Sequence, residues 1–205
     1  MGIWVITGAN RGLGLEFVTQ LSKDGLNTII ATSRSMSRES LSGIQALDIK
    51  FNLHILECDT SSPDSIESFG KQVTALLNAR KIDFLLNNAG VNVQSELTSL
   101  NVTPEAITEN VSVNVIGPAK IVQVLERHLQ SGSVVMNMTS GRGSLADTST
   151  MDQMNCTAYS ISKAGLNMLT LHQASNLKKK EVVVVCVDPG VSIFEFVCPS
   201  KSADC

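Results

Sequence analysis

The chain has 205 residues, 43% of them hydrophobic, and a formal net charge of −3, which suits one well-cored domain and excludes a polyanion-binding surface. Lys178-Lys179-Lys180 accordingly reads as a solvated helix end favoured by the C-terminal dipole, and no nucleic-acid partner is expected. No apolar run approaches a bilayer span, the first residues lack a basic leader, and five cysteines form no C-x-x-C pair, so the expectation is a cytoplasmic protein with reduced thiols, no membrane partner and no metal.

Gly2-Ile3-Trp4-Val5-Ile6-Thr7 is an apolar, β-branched run that leads into Gly8-Ala9-Asn10-Arg11-Gly12-Leu13-Gly14 and a helical pattern over 12–24. The three glycines allow a tight turn and a close backbone approach, while the free N–H groups opening the helix form a seat for a pyrophosphate. A glycine-rich turn with no ligand has the same spacing. Residues 27–32 read as a strand, 37–47 as a helix capped by Ser37, and 51–58 as a third strand. Ser62-Pro63-Asp64 places a cap before a proline suited to the first turn of a helix reaching 79, and 82–87 is a fourth strand. Thr103-Pro104-Glu105 repeats that signal ahead of a long helical region to 129, with a bend expected near Gly117-Pro118. A fifth strand at 133–138 and a helix at 157–178 follow, and Val182-Val183-Val184-Val185-Cys186-Val187 is a run typical of a strand buried on both faces. Six such repeats imply a single α/β domain with a Rossmann-type, doubly wound parallel sheet and helices on both faces.

In such a sheet chemistry collects at the carboxyl ends of the strands. There lie Asn87-Asn88-Ala89-Gly90 and Met138-Thr139-Ser140, and the next helix carries Tyr159-Ser160-Ile161-Ser162-Lys163. Tyr159 and Lys163 are one turn apart and share a side, where an ammonium would stabilise a phenolate and move the phenol toward neutrality for acid–base work on a carbonyl. A tyrosine and a lysine on an ordinary amphipathic helix have the same spacing.

Together these motifs resemble the short-chain dehydrogenase/reductase family, in its carbonyl reductase or C-factor-like branch. Thr7 to Gly14 matches T-G-x-x-x-G-x-G, Asn87 to Gly90 matches N-N-A-G, Tyr159 to Lys163 matches Y-x-x-x-K, and Asp188-Pro189-Gly190 resembles the P-G after the sixth strand. The resemblance implies a nicotinamide cofactor with its pyrophosphate at Gly8, Asn10, Arg11, Gly12, Leu13 and Gly14, and with Asn88, Ala89, Gly90, Pro189 and Gly190 along the same edge. Tyr159 would donate a proton to the developing alkoxide, and Ser140 would hydrogen-bond the substrate oxygen. Lys163 would hold the nicotinamide ribose and depress the phenol pKa, and Asn114 would support a proton-relaying water. Two plainer readings stay open: Ser140 as a strand-end turn residue, and Asn114 as a buried amide satisfying helix backbone at the bend.

The second strand ends Ala31-Thr32-Ser33-Arg34 without the acid that usually holds the ribose hydroxyl of NAD, and Arg11 lies in the glycine loop, so NADP is expected over NAD. Asp59 is assigned to the adenine edge by the resemblance. The 141–158 stretch is longer than in many members and reads as a flexible wall of the substrate pocket. Residues 191–205 match none of the family's pattern, and Phe194 stands near where a threonine is expected. The organisation expected is therefore a dinucleotide-binding catalytic unit at 1–190 and a divergent tail at 191–205, read as a truncated or alternatively ended member. That tail would cover an open sheet edge or the cofactor cleft, with homo-oligomer formation through the edge as an option. The function expected is NADP-dependent reduction of a small-molecule carbonyl substrate; the alternative is a catalytically weak dinucleotide-binding protein acting as a redox-responsive or interaction module.

Overall fold

The computed structural model describes residues 2–47, 52–150 and 155–190. Elements follow in the order β1 Ile3–Ile6, α1 Gly12–Leu21, β2 Thr28–Ser33, α2 Arg38–Gln45, β3 Leu53–Glu57, α3 Pro63–Leu77, β4 Ile82–Asn87 and α4 Pro104–Val111. A π-helical turn at Ser112–Ile116, α5 Gly117–Leu125, β5 Leu129–Met138, a 3₁₀ turn at Gly141–Gly143, α6 Leu145–Thr148, α7 Thr157–Leu177 and β6 Val183–Val187 complete them. The strands pair in parallel in the order β3-β2-β1-β4-β5-β6. That order reverses between β1 and β4, which opens a crevice at their carboxyl ends for a ligand.

Local chemistry explains most boundaries. Ser37, Ser62 and Thr103 accept the N–H groups of Ser40, Ser65 and Ala106, and Pro63 and Pro104 sit in the first turns of α3 and α4. Helix α1 differs: it opens behind Arg11 with no side-chain cap, so its first N–H groups have no such acceptor. The larger core, with Phe69, Ile82, Leu85, Ile121 and Leu125, lies beneath α3 and α5, and a smaller one joins Ile6, Val18, Ile29, Ile44 and Leu86 beneath α1 and α2.

Three expectations are corrected. The break in the long helical region is not a kink at Gly117-Pro118 but the π-helical turn before it, with Pro118 in the first turn of α5. Among the described residues the valine run does not form a strand buried on both faces: β6 lies at the edge of the described sheet, and Val183, Val185 and Val187 are exposed by 51%, 38% and 37%. The stretch after Ser140, expected as an open loop wall, folds over its described part into the 3₁₀ turn and α6. The readings made for the tail at 191–205, Phe194 included, lie outside the described residues.

Candidate active site

The glycine turn after β1 is shaped by contact. Gly8 has φ 62°, and a Cβ there would lie 2.9 Å from Ala89 Cα; Gly12 has φ 56°. A Cβ at Gly14 would strike the carbonyl oxygen of Gly8 and come within 2.6 Å of Asn88 Nδ2, so α1 can pack this closely on the sheet only with glycine there. Thr7, in the same turn, accepts the N–H groups of Asn88 and Ala89 on Oγ1, each at 3.0 Å, and Asn88 Nδ2 donates back to the carbonyls of Thr7 at 2.9 Å and Gly8 at 3.1 Å. The first and fourth strand ends are thus locked together around the uncapped start of α1, where Leu13 sits half-buried. Asn10 Nδ2 donates to the Ser40 carbonyl at 3.2 Å, joining this loop to the first turn of α2. Arg11 and Arg34 are exposed in the joined segments, and so is Arg38, which sequence reasoning passed over. Asp59 Oδ1 accepts from the Ser61 N–H and hydroxyl at 2.9 and 2.7 Å, an Asx turn that leads into the Ser62 cap.

At the other half of the edge, Lys163 is 3% exposed and its Nζ donates to the Met138 carbonyl at 2.6 Å. Burial pulls this ammonium down to about 8. It stands 5.5 Å from the centroid of the Tyr159 ring. Ser140 stands close enough to the Tyr159 hydroxyl to favour the phenolate by hydrogen bonding. Burial is the largest influence on that phenol and holds it above its ordinary value; Ser140 opposes this, Asp188 and Cys156 push it further up, and Arg142 pulls it down. The downward push expected from Lys163 is not among these influences.

Asn114 is fully buried in the π-helical turn, where the extra residue turns its side chain onto the strand-end loop: Oδ1 accepts the Val91 N–H at 2.9 Å, and Nδ2 donates to the Val91 carbonyl at 2.8 Å and to Ser162 Oγ at 2.9 Å. Ser162 Oγ in turn donates to the Tyr159 carbonyl at 2.7 Å. A Cβ at Gly90 would lie 3.2 Å from Asn114 Oδ1 and 3.5 Å from Lys163 Nζ, so glycine keeps open the space that both groups line. Pro189 and Gly190 follow β6, with Gly190 at φ 73°. Asp188 accepts the N–H groups of Gly141 at 2.8 Å and Gly190 at 3.0 Å, binding the turn after β5 to the turn after β6.

Ser140, Tyr159, Lys163 and Asn114 are therefore brought together, and Gly8, Gly12, Gly14, Asn88, Ala89 and Gly90 form a continuous edge beside them. Sequence reasoning did not single out Ser162 or Arg142. The place of Ser162 beside Lys163 on a buried helix turn was an available signal; nothing local marked Arg142.

A sequence model of the short chain dehydrogenase family matches residues 3–195. The chain belongs to the short-chain dehydrogenase family. It is an NAD(P)-dependent oxidoreductase of that family. A short chain dehydrogenase of Hypocrea virens, virK, is 29% identical over 93% of this chain and 74% of its own length. The crystal structure of an NADPH-bound carbonyl reductase from chicken fatty liver superposes with a TM-score of 0.86 at 29% identity, covering 93% of this chain and 79% of that one. The Sniffer protein of Caenorhabditis elegans superposes with a TM-score of 0.82 at 31% identity over 92% and 84% of the two chains. Among the described residues of this family member no helix is long and apolar enough to cross a membrane.

Proposed function

We propose that this short-chain dehydrogenase reduces a small carbonyl compound to the alcohol with NADP as its dinucleotide, residues 1–190 acting as the binding and catalytic unit. The observation that carries the reading is a buried Lys163 with its Nζ 5.5 Å from the Tyr159 ring centroid, and Ser140 near the phenol just beyond the end of β5. The residues fit the dinucleotide: Gly8 and Gly14 sit where a Cβ would collide, and the first turn of α1 lacks a side-chain cap, which suits a pyrophosphate. Gly8, Asn10, Arg11, Gly12, Leu13 and Gly14 would hold that group, Arg34 the ribose phosphate, Asp59 the adenine edge, and Asn88, Ala89, Gly90, Pro189 and Gly190 the remainder. NADPH in the chicken carbonyl reductase and the lack of an acid at the end of β2 support NADP over NAD.

The bound dinucleotide supplies a hydride to the carbonyl carbon. Ser140 holds the carbonyl oxygen by a hydrogen bond, and Tyr159 gives that oxygen its proton as the double bond becomes single. Burial keeps the phenol protonated near neutral pH, as an acid must be. Lys163, at about 8, can return a proton to the phenolate, and it would also hold the nicotinamide ribose. Asn114 Oδ1 supports a water in the space beside Gly90, through which protons reach Lys163.

NADPH oxidation with a reactive aromatic aldehyde tests this reading. Turnover that disappears in Tyr159→Phe sustains it. Tight NADPH binding without turnover of any carbonyl would leave the interaction module as the function.

A further inference from the structure

Arg142 lies two residues beyond Ser140, half-buried in the 3₁₀ turn, and is held from both sides of the candidate site. Its N–H donates to Ser140 Oγ at 3.3 Å, and its Nη1 donates to the Asn155 carbonyl at 3.1 Å, just ahead of α7. Thr148 Oγ1 pins the Arg142 carbonyl at 3.1 Å. Among the described residues its other guanidinium N–H groups have no hydrogen-bond partner. Two further features surround it. Helix α7 opens behind Cys156 with no side-chain cap, and the N–H groups of Cys156 and Thr157 donate to the Ser95 and Leu97 carbonyls at 2.8 and 3.3 Å. Asn92 Oδ1 and Asn155 Oδ1 are buried acceptors with no partner among the described residues, with Asn92 Nδ2 resting on Cys156 Sγ at 3.6 Å. The opposing charge is Asp188, held by the Gly141 and Gly190 N–H groups at the turn after β6. Lys163 Nζ gives one of its donors to the Met138 carbonyl.

We propose that Arg142 is a specificity-determining residue that binds a carboxylate carried by the carbonyl substrate, so that keto acids and formyl carboxylates are preferred over neutral carbonyl compounds. The inference rests on the reductase reading above. A guanidinium that donates to the Asn155 carbonyl, on a residue whose main chain is tied to Ser140 and Thr148, loses less freedom when it pairs with a planar carboxylate. The carbonyl oxygen at Ser140 and the carboxylate at Arg142 then fix the substrate at two points.

The test compares 4-formylbenzoate with its methyl ester in NADPH-dependent reduction. The expected kcat/KM ratio of acid to ester is above about tenfold in the wild type, falls by about tenfold or more in Arg142→Leu, and recovers in part in Arg142→Lys. Using the ratio cancels any change in Tyr159 common to both substrates. A ratio unaffected by Arg142→Leu overturns the inference. If the wild type turns over neither compound, the reductase reading fails instead, and calorimetric titration of 4-formylbenzoate into the NADP-loaded protein decides. Affinity lower by about tenfold in Arg142→Leu then sustains the carboxylate site, and equal affinity, or no binding to the wild type, removes it.

Discussion

Lys163 Nζ donates to the Met138 carbonyl at 2.6 Å, fastening α7 to the last residue of β5, and stands 5.5 Å from the centroid of the Tyr159 ring. The bond gives a buried cation an acceptor at the strand end. Loss of either partner of the Tyr159–Lys163 pair therefore has separable effects. Tyr159→Phe should lower kcat by about a thousandfold with NADPH affinity nearly unchanged, because only the ionisable hydroxyl is lost. Lys163→Ala should lower kcat and weaken NADPH binding together. Steady-state kinetics and calorimetry on both variants check this, and near-normal turnover in Tyr159→Phe would require another acid.

Tyr159 is the sole tyrosine of the chain, so tyrosinate absorbance reports its titration directly. The midpoint in the free protein should lie above the ordinary phenol value, since burial disfavours the phenolate. Ser140→Ala and Arg142→Leu should each move it further up, and Asp188→Asn should move it down. A midpoint below the ordinary value in the wild type would contradict the environment described.

Two buried groups oppose each other in the alkaline stability profile. Lys163 is depressed to about 8, so the unfolded chain binds more protons above that pH and its burial cost falls as pH rises toward the ordinary lysine value. Cys58 is raised to about 12, so the unfolded thiol ionises first and stability falls with rising pH over part of the same window. Each slope is at most about 1.4 kcal/mol per pH unit and the signs are opposite. Between pH 9.0 and 10.5, where the two windows overlap, the wild-type profile should be shallow, Cys58→Ala should show a rise, and Lys163→Met should show a fall. Urea titrations across that range read the difference.

Gly8→Ala should cost about 1–3 kcal/mol of stability, from a positive φ and the contact with Ala89, and should abolish NADPH binding at accessible concentrations. Denaturant midpoints and a cofactor titration measure the two effects. A variant with wild-type affinity would show that this turn does not seat the pyrophosphate.

If Arg34 holds the ribose phosphate as proposed, Arg34→Ala should weaken NADPH by about tenfold and leave NADH within about threefold, because NADH lacks that phosphate. Arg38→Ala, on the neighbouring first turn of α2, should add to the loss. Equal effects on both dinucleotides would remove Arg34 from cofactor selection.

What the sequence determined by itself was set by interactions of short range. Ser37, Ser62 and Thr103 cap helices within three residues of themselves, and the glycines at 8, 12 and 14 mark a turn of one conformation, so strand, turn and helix order could be read in line. Repeated six times, that order left little freedom in the sheet. Tyr159 and Lys163 were legible for the same reason, since one helical turn separates them. What only the tertiary structure decided depends on partners far along the chain. The π-helical turn exists where Asn114 must meet both Val91 and Ser162, and no local pattern announces it. The valines of β6 looked like core, yet hydropathy cannot tell a central strand from an edge strand, which is a matter of neighbours. Likewise the phenol of Tyr159 answers to its burial, to Ser140, to Asp188 and to Arg142, which converge from three separate strand ends and helix starts, because desolvation and charge act through space and not along the chain.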